Sequence, residues 1–146
     1  MSLRVVFVCI HNSARSQMAE AWFNHLALPA YHAESAGIEA GQLNPLVIQA
    51  MQEVGIDLSQ KTTQTVDAVI TAGNCFDYAI TVCDETSAER CPIFPAKTQR
   101  IHWNFPDPSR FTGTDAEKLQ QIREIRDAIK RQVQAFIATG LKSVSA

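Results

Sequence analysis

No apolar run in this sequence approaches the roughly 20 residues needed to cross a bilayer, so no membrane-spanning helix is expected. The early run at residues 5–10 is too short for a secretory leader and passes straight into polar residues. Basic residues form no long cluster and the formal net charge is −2, which leaves a nucleic-acid or membrane-surface role without support. No Cys-x-x-Cys pair and no Cys/His cluster occurs, so no metal site and no cofactor is expected. Repeats, low-complexity tracts and linkers are also absent, and residues 1–146 read as one domain with a frayed tail over about 141–146. Charged residues are only 19% against 46% apolar, which describes a globular chain rather than a disordered one. Four cysteines without an export signal suggest thiols used for chemistry or packing, and the cytoplasm as the compartment.

What is present alternates between strand and helix. Strands are expected over residues 4–9, 31–36 (ending at Gly37), 78–83 and 100–103. A helix over 16–27 carries Met18, Trp22, Phe23 and Leu26 on one side. Asn44 caps a second helix that starts at Pro45, runs Val47, Ala50, Met51 and Val54 along its stripe, and stops at Gly55. A short helix is expected over 66–72. The last helix opens with a capping box, Thr114 and Glu117, and repeats Leu119, Ile122, Ile125, Ile129, Val133 and Phe136 toward Gly140. Such alternation implies an α/β fold, a small parallel sheet with helices on both faces, whose ligand site lies at the carboxyl ends of its strands.

Cys9 closes the first strand, and Arg15 follows six residues later at the start of a helix. Between them, Ile10, His11, Asn12, Ser13 and Ala14 form a short loop whose amides can converge on an oxyanion. The helix contributes the positive end of its dipole, and Arg15 can fork two donors onto two oxygens of the anion. The same donors favour a thiolate, and Ser16 can add a hydroxyl hydrogen bond to the sulfur. Ordinary burial also places cysteines at the ends of apolar strands, so packing alone is the plain alternative.

Cys83 and Cys91 flank a polar segment that has almost nothing to bury. Two cysteines across such a segment can approach and form a disulfide, and with Cys9 they would make a three-thiol relay. Alternatively, Cys83 is a core thiol and Cys91 an idle surface one. Asp107 sits between Pro106 and Pro108, which stiffen the backbone and could hold a general acid over the anion, or simply build a turn. Cys75 reads as packing, and His11, His25, His32 and His102 as structural or surface residues.

Together these residues resemble the low-molecular-weight tyrosine phosphatase superfamily, and specifically its arsenate reductase branch. The likeness runs through Cys9-x5-Arg15-Ser16-Gln17-Met18-Ala19-Glu20, Glu34-Ser35-Ala36-Gly37, Asn44-Pro45 and Gly55-Ile56-Asp57. It continues through Ile80-Thr81-Val82-Cys83-Asp84, Cys91-Pro92 and His102-Trp103-Asn104-Phe105-Pro106-Asp107-Pro108, covering nearly the whole chain. The resemblance implies a four-stranded parallel sheet and a reductase in which Cys9 attacks arsenate while Arg15 and the loop of residues 10–16 hold its oxygens. Phosphate or sulfate would mimic the substrate. It further implies that Asp107 protonates a departing oxygen, that Cys83 attacks Cys9 and releases arsenite, and that Cys91 leaves a Cys83–Cys91 disulfide for thioredoxin. Some relatives use a small thiol with glutaredoxin or mycoredoxin instead. An alkali-cation site of some members is not carried over, because Gln64 stands where an acidic ligand is expected. A tyrosine phosphatase on the same Cys9, Arg15 and Asp107 is the runner-up. Gln17 and Ser109 replace the proline and the aromatic that such phosphatases usually carry there. A non-catalytic oxyanion-binding or redox-sensing module is the third reading.

Overall fold

β1 (Leu3–Cys9) is a β-branched and aromatic run buried along nearly its whole length, the pattern of a central strand covered on both faces. The computed structural model describes residues 3–12, 14–27, 29–39, 41–73, 75–82 and 98–140. In it β1 lies between β2 (Tyr31–Gly37) and β3 (Tyr78–Thr81), with β4 (Gln99–His102) outermost, in the order β2-β1-β3-β4. All pairings are parallel, and their registers join Cys9 to Gly37, Val8 to Thr81 and Thr81 to His102. The carboxyl edge of the sheet therefore gathers Cys9, Gly37, Thr81 and His102.

Alternation along the strands divides the core. Val5, Phe7, Cys9, Tyr78, Ile80 and Val82 pack on the side of α1 (Arg15–Leu26) and of the last helix, α4 (Asp115–Ala135). Val6, Val8, Ala36 and Ala79 face the other way, onto Val66 and Val69 of α3 (Val66–Thr71) and onto Phe76. α2 (Pro45–Gln52) packs on α4 rather than on the sheet. Phe7 is fully buried, with Phe23 and Trp103 rings 6.0 and 5.8 Å from its own, and truncating it would cost about 3–5 kcal/mol.

Helix starts follow the sequence signals closely, whereas α2 ends at Gln52, ahead of the Val54 and Gly55 to which its stripe is expected to run. Asn44 accepts the Leu46 amide at 2.9 Å, and Thr114 and Glu117 form the reciprocal capping box. Gly55 turns the chain after α2 at φ +83. Arg126 is buried, donates to the Ala50 carbonyl at 2.9 Å and pairs with Glu53 at 3.0 Å, while Arg123 grips the same carboxylate at 2.7 Å. These bonds bind α2 to α4. Arg123, with Arg126 behind it, holds the Glu53 carboxyl down to about 2.

Several expectations change, among them the third strand, which ends at Thr81 and not at residue 83. α1 begins at Arg15 rather than Ser16, because the Met18 amide already bonds the Ala14 carbonyl at 3.0 Å. β4 covers Gln99–His102 instead of 100–103, since its pairing with β3 begins at Tyr78 and Gln99. Cys75 is not packed: it follows the Gly73 turn, where the chain is exposed on its way to β3. Among the described residues, no helix is long and apolar enough to cross a membrane. Cys83, Cys91, Ser13 and the tail at 141–146 lie outside the described residues.

Candidate active site

Strand β1 ends at Cys9, and the chain crosses to α1 in five residues. Parallel pairing does not stop with the strand: the carbonyls of Cys9 and Ile10 accept the amides of Ile38 and Glu39 at 3.0 and 2.8 Å. The first amides of a helix have no intrahelical partner, and among the described residues the first bonded one here is that of Met18. Among the described residues, none accepts the amides of Arg15, Ser16 and Gln17, which lie at the positive end of α1 where an anion is favoured.

Close backbone approach packs this loop onto the end of β2. A Cβ on Gly37 would lie 2.7 Å from the Asn12 nitrogen and 2.8 Å from the His11 carbonyl carbon. A Cβ on Gly41 would lie 2.8 Å from the His11 oxygen. Only glycine fits at either point.

Asn12 takes a left-handed conformation, φ 56, and is completely buried. Its Oδ1 accepts the backbone amide of Gln64 at 3.1 Å and Nε2–H of Gln17 at 3.1 Å. A backbone amide can only donate, so the orientation of the Asn12 carboxamide is fixed and its Nδ2 faces Ser16, donating to Oγ at 2.8 Å. Ser16 lies 2.9 Å from the Cys9 sulfur. Because its oxygen is accepting from Asn12, its own proton is directed to the sulfur, and that bond strengthens when the sulfur is a thiolate.

Arg15 is buried and donates through Nη1 to the Phe105 carbonyl at 3.0 Å, while Nη2 lies 3.8 Å from Oδ2 of Asp107. The guanidinium thus joins the Cys9 loop to the segment after β4. Asp107 retains 14% of its side-chain exposure, and the 3-10 turn that follows it (Pro108–Arg110) is closed by the Arg110 amide on its carbonyl at 3.1 Å. A carboxyl group placed there has a route to solvent and lies beside the Arg15 guanidinium. His11 sits at the rim, with Nε2 3.4 Å from Glu39.

The described site residues predicted from sequence, Cys9, Ile10, His11, Asn12, Ala14, Arg15, Ser16 and Asp107, are brought together. Sequence reasoning missed the supporting set. Glu20 is buried, accepts the Ser35 hydroxyl at 3.0 Å and pairs with Lys61, which supplies its countercharge. Gln64 donates through Nε2 to the Ser35 carbonyl at 2.8 Å, and Gln17 reaches both Asn12 and the Thr62 carbonyl. The available signal was polarity on a buried helix turn: Gln17 and Glu20 flank Met18 and Ala19, with no apolar reason to be there.

A family model described as low molecular weight phosphotyrosine protein phosphatase matches residues 4–145. The chain belongs to that family. Within it, the chain is 41% identical to the arsenate reductase of Bacillus subtilis over 136 residues, 93% of this chain and 96% of the relative. The crystal structure of arsenate reductase from Archaeoglobus fulgidus superposes with a TM-score of 0.65 at 36% identity, over 89% of this chain and 98% of the other. A thioredoxin-dependent arsenate reductase of Corynebacterium glutamicum gives a TM-score of 0.60 at 27% identity, over 92% of this chain and 63% of that one. This low molecular weight phosphatase fold, a four-stranded parallel sheet with flanking helices, is the one expected from the sequence.

Proposed function

We propose that the chain is an arsenate reductase in which Cys9 is the nucleophile and thioredoxin the terminal reductant. The Cys9 thiolate attacks arsenic while Arg15 and the loop amides hold the remaining oxygens, and Asp107 protonates the departing oxygen, which leaves as water. Cys83 then attacks the Cys9 sulfur. The electron pair of the sulfur–arsenic bond goes to arsenic, which departs as arsenite, and a Cys9–Cys83 disulfide remains. Cys91 attacks Cys83, freeing Cys9 and leaving Cys83–Cys91 for the thioredoxin dithiol. The roles of Cys83 and Cys91 rest on the sequence resemblance alone.

The observation that carries reduction over phosphate hydrolysis is the extent of identity to arsenate reductases, 41% over 93% of the chain. The Cys9–Ser16 hydrogen bond and the Arg15–Asp107 approach support the reading of Cys9 as nucleophile, Arg15 as oxyanion clamp and Asp107 as acid. A thiol relay of this kind needs a reducing compartment, the cytoplasm.

Arsenate-dependent NADPH oxidation with thioredoxin and thioredoxin reductase, run beside phosphotyrosine hydrolysis, tests the reading. Turnover with arsenate is expected, together with a Cys83–Cys91 disulfide in the parent and Cys9–Cys83 in Cys91→Ser after one turnover. Phosphotyrosine hydrolysis with no arsenate reduction would assign the chain to the phosphatases. Arsenite formed while every cysteine stays reduced, with no small thiol added, would rule out the relay.

A further inference from the structure

We propose that Gln17 is a positioning residue for Cys9, acting through Asn12 and Ser16 to keep the Ser16 hydroxyl proton aimed at the sulfur. This inference rests on the reading of Cys9 as nucleophile. Gln17 is fully buried in the first turn of α1. Its Nε2 lies 3.2 Å from the Thr62 carbonyl, which can only accept, so the nitrogen end of the carboxamide is fixed toward the loop. The second N–H goes to Asn12 Oδ1 at 3.1 Å.

Its other end explains why this is more than packing. The Gln17 carbonyl oxygen is, among the described residues, the one buried side-chain polar atom without a hydrogen-bond partner. A buried, unsatisfied acceptor is unfavourable, and a methionine would fill nearly the same volume without one. The two N–H donors are therefore what the position requires, and one of them acts on the residue that orients Ser16.

Asn12 Oδ1 is held from two sides, by Gln17 and by the Gln64 amide. That double hold keeps Nδ2 on the Ser16 oxygen at 2.8 Å and leaves the Ser16 proton for the sulfur 2.9 Å away. Without Gln17 one restraint of two remains. The Asn12 carboxamide gains freedom, the Ser16 hydroxyl spends part of its time rotated away, and the thiolate loses part of a hydrogen bond.

Peptide-resolved alkylation of Cys9 by iodoacetamide in the full-length chain, at about pH 6 and about pH 10, separates ionisation from access, because a free thiol is protonated in the first condition and ionised in the second. In Gln17→Met the rate near pH 6 is expected to fall about three- to tenfold while the rate near pH 10 holds, the signature of a weakened hydrogen bond to a charged sulfur. Gln17→Ala, which keeps a strong helix former, is expected to move the same ratio and guards against a folding defect peculiar to the methionine. Ser16→Ala is expected to lower the ratio further, and Gln17→Met added to it to lower it no more, since the effect travels through the Ser16 hydroxyl. A parent enzyme whose Cys9 behaves as a free cysteine would sink the activated-nucleophile reading and this inference with it. A parent with a reactive Cys9 and Gln17 variants that keep its ratio would overturn the inference alone. So would variants that lower the ratio equally in the Ser16→Ala background.

Discussion

Replacing Gly37 by alanine tests how the loop from Cys9 to Arg15 is held. The new Cβ would meet three backbone atoms, the Asn12 nitrogen at 2.7 Å, the Glu39 oxygen at 2.7 Å and the His11 carbonyl carbon at 2.8 Å. Ordinary contact begins at 3.4 Å, so the loop or the end of β2 must retreat by about 0.7 Å, and no flexible side chain can absorb the change. Overpacking of this kind costs about 1–3 kcal/mol. In a chain of 146 residues that lowers the melting midpoint by about 3–12 °C. The displacement falls on Asn12, whose contacts orient Ser16, and on the loop that lines the proposed anion site. Misaligning one amide donor to a charged ligand costs about 1.5–3 kcal/mol, so phosphate should bind at least about tenfold more weakly. Calorimetric titration with phosphate and a thermal scan read both quantities. Gly55→Ala and Gly73→Ala are the controls. Those glycines have φ of +83 and +81 and open space around the Cβ position, so their variants lose stability through backbone strain and keep their phosphate affinity. A Gly37→Ala protein that melts with the parent and binds phosphate as tightly would refute the idea that backbone contact at Gly37 fixes the loop.

The other expectations concern charge. Asp107→Asn should lower single-turnover arsenate reduction about a hundredfold while the melting midpoint stays near that of the parent, and an unchanged rate would reduce Asp107 to a turn former. Arg15→Lys keeps the charge but loses the planar fork and its bond to the Phe105 carbonyl, so phosphate affinity should drop by about tenfold or more; retained affinity would mean the amides alone hold the anion. The Glu53 carboxyl, lowered from 4.5 to about 2 by Arg123 and Arg126, contributes stability above about pH 4.5 that is lost as pH falls through 2. The difference in melting midpoint between the parent and Glu53→Gln should be constant above about pH 5, shrink toward pH 2, and shrink in high salt because the pair is partly exposed. A difference that persists unchanged at pH 2 would show that this charge pairing is not its source.

The sequence by itself determined the order of the elements and which reactive side chains stand at their ends. Strands and helices follow from local physics: the β-branched run of β1, the Asn44-Pro45 start of α2, the Thr114–Glu117 box and the apolar stripe of α4 each state their conformation within a few residues. The Cys9–Arg15 loop was legible for the same reason, since the thiol, the loop amides and the arginine all fall within seven consecutive positions. Tertiary structure alone decided what orients them. Gln17 and Asn12 meet at the Thr62 and Gln64 backbone, Gly37 and Gly41 seat the loop, and Arg15 finds the Phe105 carbonyl ninety positions away. Pattern and propensity report each residue's preference for strand, helix or turn. Which hydrogen-bond donor faces which acceptor across the chain depends instead on the parallel register that brings the ends of β1, β2, β3 and β4 to one edge.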